Sequence, residues 1–196
     1  MLEEADQIRE LQQKIALYED MKAYEQLYAL LYDGLHRFSA AFVKSREAAE
    51  EIVSDVFIEL WQIRGRLAEI ENLKVYLYTI ARNFSYNYLT RNYKKIVLSI
   101  DDADPEIFLT LEDPEALCIS ADVIAQIRAA MQQLPPQCRM IFQLVKEEGM
   151  RYKEVADVLH ISSLTVRNQV AIATRKIAAL LPEGVGLGVG EERKKK

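Results

Sequence analysis

The chain has 196 residues, half of them hydrophobic, a formal net charge of −5, two cysteines and two histidines. That length can bury one sizeable core or two small ones. No apolar run approaches the roughly 20 residues of a membrane span, and Met1-Leu-Glu-Glu-Ala-Asp6 lacks the basic and apolar stretches of a signal peptide. A cytoplasmic location without direct membrane insertion is therefore expected. Cys118 and Cys138 have neither a Cys-x-x-Cys spacing nor a neighbouring His, so both are expected to be reduced and incidental. His36 and His160 fall on different predicted helices, which offers no nucleophile–base pair and no metal cluster. No catalytic residue, metal site or cofactor is expected.

Only Gly34, Gly65 and Gly149 occur before residue 184, and no Pro precedes Pro105, so the first hundred residues read as long helices. Ile8, Leu11, Ile15 and Tyr18 mark a first helix; Tyr24, Leu27, Tyr28, Leu31, Leu35, Phe38 and Phe42 mark a second. Ala49, Ile52, Val53, Val56, Phe57 and Leu60 mark a third, ending near Gly65. A fourth follows with a different character. Between Asn72 and Ile100 there is no Asp or Glu, yet Lys74, Arg82, Arg91, Lys94 and Lys95 alternate with Tyr76, Tyr78, Phe84, Tyr86, Tyr88 and Tyr93. Cations that track phosphates and aromatic faces that stack on unpaired bases suit single-stranded nucleic acid, at about 1–3 kcal/mol per stacked base. Core packing is an equal use for part of this set, because Leu73, Leu77, Ile80, Ala81, Phe84 and Tyr88 fall at helical spacing.

Charge is laid out in blocks: acidic through residue 71, basic and acid-free over 72–100, wholly acidic over 101–122, and basic again over 123–181. Two basic units around an acidic connector are the layout of a protein with two nucleic-acid contacts and one acidic partner-facing piece. The connector carries Pro105 and Pro114 and no sustained helical period, so it reads as a linker. A second helical unit starts near Ser120, with Val123, Ile124, Ile127 and Met131 on one face. Pro136 is placed to open the next helix, which carries Met140, Ile141, Leu144 and Val145, and Gly149 to close it.

Residues 152–177 have the layout of a helix-turn-helix. The first helix is expected to bury Val155, Ala156 and Leu159, Ile161 to fill the corner, and Ser162 or Ser163 to cap the second helix. The second buries Val166, Val170, Ala173 and Ile177 and turns Thr165, Arg167, Asn168, Gln169 and Arg175 outward, side chains suited to base edges and phosphates in a major groove. His160 stands where such turns commonly have Gly, so it either takes a left-handed conformation or alters the turn.

Over residues 20–181 the ordered set resembles the extracytoplasmic-function (group IV) sigma factors of bacterial RNA polymerase. The set comprises the Tyr24–Tyr28 segment, Glu47 to Trp61, Leu73-Lys-Val-Tyr-Leu-Tyr-Thr-Ile-Ala-Arg-Asn83, Leu134-Pro-Pro and the closing helix-turn-helix. The resemblance implies an all-α protein of two helical domains: an N-terminal bundle over 1–95, an acidic flexible linker over 96–119, a helix-turn-helix domain over 120–182 and a disordered tail over 183–196. It implies docking on core RNA polymerase through Asp55, Phe57, Glu59, Leu60 and Trp61. The melted minus-ten promoter strand would be held by Lys74, Tyr76, Arg82, Asn83, Tyr86, Asn87 and Arg91. The minus-thirty-five duplex would be read by Ser163, Thr165, Arg167, Asn168, Gln169, Arg175 and Lys176. The implied partners are core polymerase, promoter DNA in duplex and single-stranded form, and an anti-sigma factor. A stand-alone helix-turn-helix regulator of duplex DNA is the alternative; it accounts for residues 134–181 and leaves the acid-free aromatic helix unexplained.

Overall fold

The computed structural model describes residues 2–96 and 129–180. The linker expected over 96–119, the start of the second unit, Cys118 and the tail over 183–196 lie outside them, apart from Ile96. The helices are α1 (Leu2–Tyr18), α2 (Met21–Val43), α3 (Arg46–Gln62), a 3-10 segment (Arg64–Glu69), α4 (Leu73–Ile96), α5 (Pro136–Lys146), α6 (Tyr152–Leu159) and α7 (Ser163–Leu180). The all-α class is observed, with no strand among the described residues.

Local chemistry sets the boundaries. The Asp20 carboxylate accepts from the backbone N–H of Lys22 (2.8 Å) and Ala23 (3.1 Å), capping α2 after a reversal at Glu19, whose φ is 49°. Lys44, at φ 53°, ends α2, and Ser45 Oγ accepts from Ala48 N to start α3. The third helix stops at Gln62, short of Gly65, because Arg66 N bonds Ile63 O at 2.8 Å and a tighter coil takes over. Asn72 Oδ1 then accepts from Val75 N at 3.1 Å and caps α4.

The bundle core joins Leu27, Leu31 and Leu35 of α2 with Val53, Val56 and Leu60 of α3 and Leu73, Leu77 and Ala81 of α4. Burial of each such leucine contributes about 1.5–3 kcal/mol. Helix α1 adds Ile8, Leu11 and Ile15, and its buried Gln12 donates from Nε2 to Leu67 O (2.5 Å) and Ile70 O (2.8 Å), tying α1 to the end of the 3-10 segment.

The C-terminal unit has a small core of its own, made by Ala130, Leu134, Cys138, Phe142, Ala173 and Ile177. Ile141, Leu144, Met150, Val155 and Val158 are continuous with the bundle core instead. Charged groups cross the same boundary. Lys74 Nζ lies 2.8 Å from Glu4 Oε1 and 3.1 Å from Glu148 Oε2 and donates to Glu148 O at 2.9 Å. Arg37 reaches Glu148 at 3.2 Å and Glu147 at 3.9 Å, and Asn72 donates to Glu154 at 3.0 Å.

Gly34 lies within α2 where these elements meet. A methyl group there would come 2.3 Å from the Tyr78 hydroxyl and 2.7 Å from a Glu148 carboxylate oxygen. Alanine improves helix propensity by about 1 kcal/mol, whereas forcing apart packed groups costs about 1–3 kcal/mol; Tyr78 is fully buried and cannot swing away. Gly34→Ala is expected to destabilise the protein by up to about 2 kcal/mol on balance, read as a lower urea midpoint, and a higher midpoint would contradict the close approach.

Candidate functional site

Helix α3 presents Asp55, Ile58 and Gln62 outward, with Glu59 and Trp61 partly exposed beside them. Phe57 and Leu60, implied as docking residues, are corrected by the structure: they are 1% and 0% exposed and belong to the core. Phe57 packs against Tyr28 at 4.5 Å between ring centroids. The heptad position explains the error, because Phe57 and Leu60 follow Val53 and Val56 on the inward stripe. Ile58 was passed over because a period-based reading assigns apolar residues to the core, yet it is 52% exposed. Trp61 is held edge-on to Tyr24 at 5.2 Å, with the Arg64 guanidinium 4.9 Å above its ring.

On α4, Asn83, Tyr86, Asn87 and Arg91 are exposed at spacings of three and four and form one stripe. Arg82 is partly exposed; its guanidinium lies 4.6 Å from the Tyr86 ring centroid and donates to Asn83 Oδ1 at 3.4 Å. The Tyr86 ring also meets Phe42 at 5.5 Å, so it is braced from the core while remaining 47% exposed. Cation, amide and aromatic face are thus assembled before any ligand arrives. Tyr76, Phe84 and Tyr88 are partly buried against the core, and Tyr78 is wholly buried. The aromatic set is therefore divided, with Tyr76, Tyr78, Phe84 and Tyr88 given to packing and Tyr86 displayed to solvent.

Lys74 does not belong with the stripe. It lies in register with Tyr78, Ala81 and Ser85 on the inward side, its side chain is 13% exposed, and its ammonium is taken by Glu4 and Glu148. In this arrangement its ammonium is committed to carboxylates and acts as a structural cation. Burial, with the Glu148 carboxylate beside it, pushes the Tyr78 phenol far above its ordinary value, so this hydroxyl stays protonated.

The helix-turn-helix is formed by α6 and α7. His160 takes the left-handed conformation, φ 53° and ψ 47°, and Ile161 N bonds Ala156 O at 3.1 Å across the corner. Ser162, not Ser163, is the cap: its Oγ accepts from Thr165 N at 3.0 Å. Val155, Ala156 and Val158 are buried, while Leu159 is only partly so. Val166, Val170, Ala173 and Ile177 form the inward face of α7 as expected. Ser163, Arg167, Asn168, Arg175 and Lys176 are exposed, Thr165 and Gln169 half-exposed. Leu164, 65% exposed at the start of α7, is a candidate that a search for polar readers misses; an apolar side chain there can meet a thymine methyl group. Cys138 is a buried free thiol donating to Gln169 O at 3.4 Å, and burial raises its pKa, which makes it unreactive.

Two family models match this chain, Sigma-70 region 2 over residues 24–95 and Sigma-70 region 4 over residues 124–177. The chain belongs to the sigma-70 family, as an extracytoplasmic-function sigma factor. As such it directs promoter-specific initiation by RNA polymerase. It is 24% identical over 165 residues to the RNA polymerase sigma-H factor of Pseudomonas aeruginosa, covering 81% of this chain and 86% of that protein. It is 22% identical over 161 residues to the sigma factor SigM of Bacillus subtilis, covering 82% and 96%. Its fold matches the sigma factor RpoE of Bartonella quintana, solved in complex with the anti-sigma factor NepR, with a TM-score of 0.62 at 20% identity over 84% of this chain and all of that one. A sigma factor accounts for both units, whereas a stand-alone helix-turn-helix regulator accounts only for the second. No helix among the described residues is long and apolar enough to cross a membrane.

Proposed function

We propose that this sigma factor is a non-catalytic specificity adaptor acting in the cytoplasm, with three working surfaces. The outward face of α3, through Asp55, Glu59 and the exposed edge of Trp61, docks on core polymerase. The α4 stripe of Arg82, Asn83, Tyr86, Asn87 and Arg91 holds the melted minus-ten strand: the Tyr86 ring stacks on a base, the Asn amides bond its edge, and the cations follow the backbone. Helix α7 enters the major groove of the minus-thirty-five duplex, with Arg167, Asn168 and Gln169 near its start and Arg175 and Lys176 further along. The observation that carries this reading is the acid-free stripe itself, held open on a helix whose other face is locked in the core. An anti-sigma factor is proposed as a further partner, in line with the complex in which the B. quintana protein was solved.

Reconstitution with core polymerase on a random promoter pool tests the whole reading. Run-off transcripts from a recurrent two-element sequence are expected, and no transcripts above core enzyme alone would reject it. Within that assay Arg167→Ala and Gln169→Ala are each expected to change base preference at one upstream position by about 1–3 kcal/mol, whereas Arg175→Ala weakens all sequences alike and lowers the salt slope by about one. Equal losses on every sequence for Arg167→Ala and Gln169→Ala would remove both from the readers.

A further inference from the structure

The turn between α1 and α2 leaves large apolar side chains in water. Leu17, Tyr18 and Met21 are 66%, 76% and 52% exposed. Other large exposed apolar side chains among the described residues lie on surfaces with a use already: Tyr86 and Leu89 along α4, Leu164 and Ile172 on α7, and Ile58 on the outward face of α3. The turn is also fixed in place. Glu19 pairs with Arg64 at 3.1 Å, Arg64 covers the Trp61 ring and donates to Trp61 O at 3.1 Å, and Tyr24 touches Trp61 edge-on while its hydroxyl donates to Phe57 O at 3.0 Å. The corner is thereby held against the C-terminal turn of α3, one turn beyond exposed Ile58.

The rim of this patch has an excess of acid, with Glu19 and Asp20 in the corner and Asp55 and Glu59 on α3 against Lys22 and Arg64. Carboxylates repel phosphate, so nucleic acid does not suit it; a protein surface with an apolar centre and basic surroundings does. The match to Sigma-70 region 2 begins at residue 24, so the corner lies outside the residues matched by that model.

We propose that Leu17, Tyr18 and Met21 extend the docking face of α3, so that core polymerase covers the α1–α2 corner together with Ile58 and Trp61. This rests on the reading of α3 as the docking helix and adds a contact to it. Covering such residues gives α1 a role in affinity for the enzyme beyond bracing the bundle.

The test uses the full chain and core polymerase, with affinity measured by fluorescence-anisotropy competition. Leu17→Ser with Tyr18→Ser is expected to weaken core binding about fivefold to tenfold, with helical content and melting temperature unchanged because both side chains are already in water. Tyr18→Lys is expected to weaken binding more than Tyr18→Glu, since the lysine meets a basic surround, and this comparison stands even if the double variant folds poorly. Normal affinity in the corner variants alongside a loss in Asp55→Ala with Trp61→Ala overturns the extension and leaves the docking reading intact. Normal affinity in both sets overturns the docking reading and the extension with it. A concentration-dependent dimer in sedimentation velocity that the serine variant abolishes would assign the corner to a second copy of this chain and overturn the proposal.

Discussion

Replacing Tyr86 by alanine is expected to leave the closed promoter complex intact and to reduce the open complex by about fivefold to a hundredfold, the effect of losing one base–aromatic stack of about 1–3 kcal/mol. The expectation follows from where the ring sits. Tyr86 is half-exposed, backed by Phe42 and flanked by the Arg82 guanidinium, which in turn donates to the Asn83 amide oxygen, so it presents a supported face to a base without needing to rearrange. Duplex reading by α7 does not involve it. Asn83→Ala is expected to act in the same direction, because in the proposed arrangement the amide bonds the edge of the base that the ring stacks. A promoter already mismatched over the minus-ten element should partly restore the Tyr86→Ala variant, since the cost of unpairing has then been removed. Tyr86→Phe, which keeps the stacking face, should retain most of the open complex. Permanganate reactivity of unpaired thymines measures the three variants on the paired promoter, and run-off transcription measures the mismatched one. Full reactivity in Tyr86→Ala would mean that the ring serves only as cover for Phe42.

The second large effect concerns the charged cluster between the two units. Glu148→Ala is expected to destabilise the folded chain by about 2–4 kcal/mol, slightly less than the 3–5 kcal/mol typical of removing one partner from a fully buried pair. Lys74 and Glu148 retain only 13% and 14% side-chain exposure, so the remaining charges are poorly solvated. Removing the Glu148 carboxylate leaves Lys74 with Glu4 and the backbone carbonyl of residue 148, and Arg37 with the more distant Glu147. Glu148→Gln should cost less, because the amide oxygen still accepts hydrogen bonds. The melting temperature reports the loss, and small-angle scattering distinguishes a chain that opens at the α4–α6 boundary from one that unfolds throughout. An unchanged melting temperature would show that the two units do not depend on this cluster. The same geometry separates Lys74 from the proposed strand-binding residues: Lys74→Met should lower stability without changing the salt dependence of minus-ten binding, whereas Arg91→Ala should do the reverse.

How much could be read beforehand differs residue by residue. The helix-turn-helix was legible nearly to the side chain, because a short helix, a turn and a second amphipathic helix impose their pattern on consecutive residues. Even there Val158 rather than Leu159 is the buried member, because the bundle packed against α6 offers a second apolar surface and widens the buried arc. On α3 the inward stripe was legible but its consequence was not: Phe57 and Leu60 are too well packed to be displayed, and the apolar residue that is displayed, Ile58, lies off the stripe. On α4 the composition announced a basic, aromatic helix without saying which tyrosines face which way. Tyr78 and Tyr86 are two helical turns apart and their rotation about the axis differs enough for one to be enclosed and the other to stand half in water.

Local order therefore determined the helices and the helix-turn-helix layout, because each depends on residues within a turn or two of one another, and the resemblance to the sigma factors was legible in the order of motifs along residues 20–181. Tertiary packing alone decided that Lys74 is a structural cation, that Gln12 serves carbonyls more than fifty residues away, that the two units meet through Lys74, Arg37 and Glu148, and that the α1–α2 corner stands beside Trp61. Those outcomes depend on groups distant in the chain, and the energy that fixes them, burial of charge beside its partner and of apolar surface against a second helix, exists only once the helices have come together.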